Sequence, residues 1–257
     1  MLTRFLQRPL ILGTLALTAV ALSACSIQET GSISPSLPTP EQRSPNESAD
    51  FIPPAQDIAA LSEKLRAAVA EQDAQEVQRL VSAGADVDTK DAEGRPALVL
   101  ATRSNAVDVA KALILAGANV NAQDTQQDSA FLFAGAEGLD EILKLTLAHG
   151  ADVASTNRYG GTALIPAAEH GYVQTIKLLL ETEIDVNHVN NLGWTALLEA
   201  VILGSGGTDH QEVIKLLIEA GADVNLPDAQ GVSALEHARQ KQQSAVAKLL
   251  EEAGARR

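Results

Sequence analysis

The residues able to carry chemistry are few, and none is spaced for a reaction. Five histidines are present, His149, His170, His188, His210 and His237. No two stand a helical turn apart as His-x-x-x-His, and none adjoins a cysteine, so the pattern of a zinc site is missing. The serines lie in turns, without a nucleophile elbow or an evident His-Asp partner. Asp86, Asp152, Asp185 and Asp223 recur at one place in a repeated string, which reads as turn formation rather than acid catalysis. Ser205-Gly-Gly-Thr-Asp209 is glycine-rich, but it follows a short helical pattern and lacks the Lys-Ser/Thr of a phosphate loop. Cys25 is the only cysteine, so the body of the chain has neither a disulfide nor a spare thiol nucleophile. The expectation is a protein that is not an enzyme and needs no metal or cofactor.

The elements that hold these residues repeat. Gly84-Ala-Asp-Val87 returns as Gly117-Ala-Asn-Val120, Gly150-Ala-Asp-Val153, Glu183-Ile-Asp-Val186 and Gly221-Ala-Asp-Val224, and Gly254-Ala255 closes the series. The steps are 33, 33, 33, 38 and 33 residues. A period this strict means a stack of one small unit. In residues 157–189 the unit reads as a turn (Asn157 to Thr162), a short helix capped by Thr162 and ending near Gly171, a second helix over Val173 to Glu181, and another turn. Neither helix can bury its apolar stripe alone, so stacked neighbours supply the core. The recurring glycine sits where a chain leaving a helix goes left-handed. Glu183 stands in for it once, and a left-handed Glu183 that glycine would relieve is expected there. The step of 38 places five extra residues, 205–209, in the loop between the two helices of the fifth unit.

This unit resembles the ankyrin repeat, over about residues 58–257. The openings Gly94-Arg-Pro-Ala-Leu98, Gln127-Asp-Ser-Ala-Phe131, Gly160-Gly-Thr-Ala-Leu164, Gly193-Trp-Thr-Ala-Leu197 and Gly231-Val-Ser-Ala-Leu235 match the family's Gly-x-Thr-Pro-Leu-His, with Ala in place of its proline. Val99, Leu132, Ile165, Leu198 and Glu236 replace its histidine, so the hairpin-to-helix junction is expected to rely on apolar packing. The resemblance implies an all-α solenoid of about six helix-turn-helix units with short β-hairpin fingers, spanning 57–90, 91–123, 124–156, 157–189, 190–227 and 228–257. The first and last units, more polar, read as caps.

The first 24 residues read as an address. Arg4 and Arg8 precede an apolar stretch from Pro9 to Ala21, too short to span a bilayer as a helix. Leu22-Ser-Ala-Cys25 then resembles the lipobox of bacterial lipoproteins, which implies cleavage before Cys25 and a diacylglyceryl group on it. Ser26, where an acid would resemble an inner-membrane signal, implies the outer membrane, with the domain facing the periplasm. Residues 25–56, rich in Ser, Thr, Gln and proline, have little to bury and read as a disordered tether. The net charge of −14 argues against nucleic acid or anionic lipid as partners and favours solubility.

The resemblance also implies where a partner protein would sit: on the hairpin fingers and the exposed side of the inner helix. Carried over, those positions are Ala92, Glu93, Arg95, Arg103 and Ser104 in the second unit, and Thr125, Gln126, Asp128, Ala136 and Glu137 in the third. The fourth gives Arg158, Tyr159, Gly161, Glu169 and His170; the fifth Asn191, Leu192, Trp194, Ile202 and Leu203; the sixth Ala229, Gln230, Val232, Gln240 and Lys241. The expected site is an apolar cluster of Tyr159, Leu192, Trp194, Ile202 and Leu203, rimmed by Arg158, Glu169 and His170. The function expected is protein capture by a monomeric, membrane-tethered module of the bacterial envelope. Alternatives are an accessory or protective subunit of an envelope stress enzyme, or an immunity protein neutralising a toxin or effector.

Overall fold

The computed structural model describes residues 55–256. The leader, Cys25 and nearly all of the tether therefore lie outside the described residues. Helix begins at Ala55, two residues before the expected domain start. The described residues form twelve α-helices in six pairs: α1 (Ala55–Ala70) and α2 (Ala74–Ser82), α3 (Ala97–Arg103) and α4 (Val107–Leu115), α5 (Ala130–Ala136) and α6 (Asp140–Ala148), α7 (Leu164–His170) and α8 (Val173–Leu180), α9 (Ala196–Ile202) and α10 (Thr208–Glu219), α11 (Ala234–Gln240) and α12 (Ser244–Glu252). Odd-numbered helices pack in one row and even-numbered helices in a second, each also against its own partner. None is long and apolar enough to cross a membrane.

The string Ala-x-x-x-Ala at the start of the inner helices of units two to six, with Leu in second place except for Phe131 in α5, explains the close stacking. Ala163, just before α7, and Leu164 and Ala167 within it are buried, as are Ala196, Leu197 and Ala200 of α9 and their counterparts in α3, α5 and α11. Alanine at two of these positions lets neighbouring backbones approach. Between α5 and α7 the approach is tight enough that a Cβ on Gly135 would meet that of Ala163 at 2.7 Å. Val99, Leu132, Ile165 and Leu198 are buried beneath the hairpins, and apolar packing replaces the missing histidine bonds there.

The fingers are turns rather than strands. Among the described residues the only β-pairing outside helices is an isolated bridge, Lys90 with Pro96. Each finger is organised by one Asx side chain whose Oδ1 accepts backbone N–H groups two and four residues on. Asp91, Asp124, Asn157, Asn190 and Asp228 all do this.

Three expectations change in unit four and its neighbour. Ser129, Thr195 and Ser233 cap their helices by accepting the N–H three residues on. Thr162 does not, and its buried hydroxyl has no partner. The cause is Pro166, which occupies the place where Phe133, Glu199 and His237 donate N–H to the cap residue's carbonyl. Proline has no N–H, and its ring clashes with a carbonyl four residues back. The turn tightens, Ile165 N–H bonds the Thr162 carbonyl at 3.2 Å, and the helix starts one residue later.

Glu183 is not left-handed, whereas Gly84, Gly117, Gly150, Gly221 and Gly254 are. Elsewhere the residue after that glycine donates to a carbonyl five residues back, as Ala222 does to Leu217. In unit four Ile184 N–H turns instead to the Thr182 hydroxyl at 3.3 Å, which itself donates to the Leu179 carbonyl at 2.6 Å. The Thr182 side chain closes the helix, and no strain on Glu183 remains to relieve.

The insertion is only partly loop. Thr208 and Asp209, together with His210, extend α10 to 12 residues, against eight or nine in the other paired second helices. His210, buried within that added turn, donates from Nε2 to the Glu169 carbonyl at 2.8 Å and ties α10 to the end of α7.

Candidate functional site

The Asn157 and Asn190 turns raise Tyr159 and Leu192 beside the inner helices, and α7 and α9 supply the facing wall. The hollow between them has a volume of about 250 Å³. Its apolar lining comes from Tyr159, Ile165, Pro166, Leu192 and Leu203. Tyr159, Leu192 and Leu203 are 52, 51 and 47 % exposed, a large unpaired apolar surface on one short stretch. Exposed apolar area that is contiguous rather than scattered marks interaction sites. Two carboxylates enter this hollow, Glu169 and Glu199.

Glu199 is the unexpected member. It is 6 % exposed and belongs to α9, where the equivalent residues are Leu100, Phe133, Pro166 and His237. Asn190 Nδ2 donates to its Oε1 at 2.8 Å. Burial, then the nearby charge of Glu169, push its carboxyl up to about 7, against the lowering effects of the Asn190 bond and His170. The last unit uses the same spacing differently: His237 Nε2 lies 2.7 Å from Asp228 Oδ2. There, burial alone would raise the Asp228 carboxyl. Hydrogen bonds from the Val232 and Gln230 N–H groups and from His237 hold it below its ordinary range.

A second hollow of about 410 Å³ adjoins the first, between units three and four, sharing Asn157 and Tyr159 with it. Arg103, Asp128, Phe133, Glu137 and Arg158 line it. The Arg103 guanidinium lies over the Phe133 ring, and that of Arg158 over the Tyr159 ring, each 4.6 Å from the centroid. Asp128 is held above its usual carboxyl range by burial and then by the charge of Asp124.

Of the eight expected residues, Tyr159, Glu169, Leu192 and Leu203 converge on the first hollow, and Arg158 with Tyr159 on the second. The other three line neither. Trp194 and Ile202 are half-buried against the core. His170 stacks on Tyr172, ring centroids 5.3 Å apart, and donates from Nδ1 to the Pro166 carbonyl. Asn157, Asn190, Ile165, Pro166 and Glu199 were not expected at the site. Glu199 had a visible signal, a lone acid inside the apolar run Ala196–Ile202. The other histidines have structural partners as well: His149 donates to the Leu145 carbonyl and His188 to the Gly160 carbonyl.

These features are those of a known class. A family model described as ankyrin repeats, in three copies, matches residues 63–124 and 131–228. The chain belongs to the ankyrin-repeat family, whose domains bind other proteins and are typically not enzymes. A crystal structure of an ankyrin repeat domain from Acinetobacter baumannii AYE is 51 % identical, with a TM-score of 0.73, covering 75 % of this chain and 98 % of that one. The ankyrin repeat domain of Bcl-3, a member of the IkappaB protein family, is 28 % identical with a TM-score of 0.68, covering 75 % of this chain and 86 % of that one. An ankyrin repeat protein of Escherichia coli (strain K12), YahD, is 42 % identical over 57 residues. That match covers 22 % of this chain and 28 % of YahD.

Proposed function

We propose that this chain is a lipid-anchored capture module of the bacterial envelope. It is held by Cys25 at the outer membrane, facing the periplasm, and binds a partner protein, as a monomer, on the face formed by the fingers and inner helices of units three to five. The observation that carries the reading is the contiguous exposed apolar surface of Tyr159, Leu192 and Leu203 beside two adjoining hollows. Binding energy in protein interfaces concentrates in a few aromatic and apolar residues that fill or border such hollows. The leader, lipobox and proline-rich segment of the sequence support the tether.

The test compares crosslinked capture from envelope extracts by the wild-type chain, the double variant Tyr159→Ala/Leu192→Ala, and Leu115→Ala. Leu115 is exposed but lies on α4, in the other row of helices. Loss of one specific prey with the double variant alone supports the reading, and equal capture by all three overturns it. The prey's identity separates an enzyme's accessory subunit from an immunity protein. Cys25→Ala should move the chain from the membrane to the soluble fraction; retention in the membrane would refute the lipid anchor.

A further inference from the structure

The hollow between units four and five has a chemistry narrower than "apolar". Its volume of about 250 Å³ lies below the ~300–1,000 Å³ typical of pockets that enclose whole small molecules, and suits one side chain. Its walls are apolar, and its charged lining residues are both acids, Glu169 and Glu199. Glu199 is more than nine-tenths buried, and only one of its oxygens is hydrogen-bonded, to Asn190. The other oxygen accepts no hydrogen bond from the protein. A carboxylate buried among apolar groups without a counter-ion is costly, and a cation delivered from outside would relieve that cost.

We infer that this hollow receives a lysine side chain from the partner protein, a refinement that rests on the docking face proposed above. The four-carbon stem would lie along Tyr159, Leu192 and Leu203, and the ammonium would meet the free oxygen of Glu199, with Glu169 adding a second negative charge. Lysine is favoured over arginine by the acceptor set. A guanidinium fork pairs best with both oxygens of one carboxylate, and Asn190 already occupies one oxygen of Glu199. A compact ammonium accepts single oxygens from separate groups. The net charge of −14 would steer such a basic segment toward the domain.

The test titrates the isotope-labelled full chain with an acetylated, amidated peptide, Gly-Leu-Lys-Leu-Gly, by amide NMR. Matched peptides carry norleucine or arginine in place of lysine. The expected result is shifts confined to amides around Tyr159, Leu192, Glu199 and Leu203, with lysine binding at least about tenfold more tightly than norleucine, the scale of one charge-assisted hydrogen bond. Glu199→Gln should abolish that preference, and Glu169→Gln, at a less buried position, should reduce it while leaving the spectrum of the fold intact. Equal binding of lysine and norleucine, tighter binding of arginine, or an unchanged preference in both variants overturns the inference. If lysine fails while Tyr159→Ala/Leu192→Ala still abolishes capture of the prey, the pocket assignment falls and the docking face stands.

Discussion

Asn190 holds Glu199. The amide that builds the fifth finger, accepting the N–H groups of Leu192 and Trp194 through Oδ1, uses its Nδ2 to donate to Glu199 Oε1 at 2.8 Å. One side chain therefore sets both the outer wall of the hollow, through the turn that carries Leu192, and the position of the acid within it.

That acid makes stability fall with pH. Its carboxyl titrates near 7 in the folded chain and near the ordinary 4.5 when unfolded. Below 4.5 both states hold the proton. Between 4.5 and 7 the unfolded chain releases it first, so unfolding is increasingly favoured; above 7 the penalty is constant. The full effect is of the order of 1–3 kcal/mol. Denaturant midpoints of the wild type should drop across this window relative to Glu199→Gln. Parallel pH curves for the two proteins would refute the assignment.

The same substitution should have opposite signs in adjacent units. Thr162→Val removes a buried hydroxyl that has no partner, and a gain of about 1 kcal/mol is expected. Thr195→Val removes the acceptor of the Leu198 N–H and should cost about 1 kcal/mol. Chemical denaturation of the two variants decides the matter, and losses of similar size in both would show that Thr162 is satisfied.

A ladder between units lacks one rung. Asp88, Asn121, Asn187 and Asn225 each accept, through Oδ1, a backbone N–H of the next unit at 2.8 Å: those of Asn119, Asp152, Asp223 and Arg256. Ala154 stands at the corresponding place opposite Asp185. Ala154→Asn should restore the bond and stabilise the domain by about 0.5–1.5 kcal/mol. A midpoint unchanged or lower would show that Asp185 N–H lies out of register.

Trp194 and Tyr159 should separate stability from binding. Trp194 packs half-buried on the core, so Trp194→Ala should cost about 2–4 kcal/mol. Tyr159 is half-exposed at the crest between the two hollows, so Tyr159→Ala should change stability by less than about 1 kcal/mol yet weaken partner capture. Thermal unfolding alongside the crosslinking assay reads both. Equal destabilisation would place Tyr159 in the core rather than at an interface.

The repeat was legible because it is written in local chemistry. Turn residues, alanines at the packing positions and a 33-residue period fix helices whose apolar faces have nowhere to go except onto their neighbours. The face was legible through Arg158, Tyr159, Glu169, Leu192 and Leu203, because the resemblance to the ankyrin repeat implies which positions of the unit point outward. It could not separate Trp194 and Ile202 from them, because how deeply an outward residue sits depends on the neighbouring unit.

The sequence by itself determined the stacked architecture and two places where its regularity breaks, Glu183 and residues 205–209. Tertiary structure alone decided how each break is absorbed: Thr182 closes a helix end, and two inserted residues become helix. It alone also shifted a helix start at Pro166. It alone also brought Glu199 into one hollow with Glu169. Glu169 and Glu199 come from different units, and proximity across a stack depends on how closely neighbouring helices approach, which spacing along one chain does not contain.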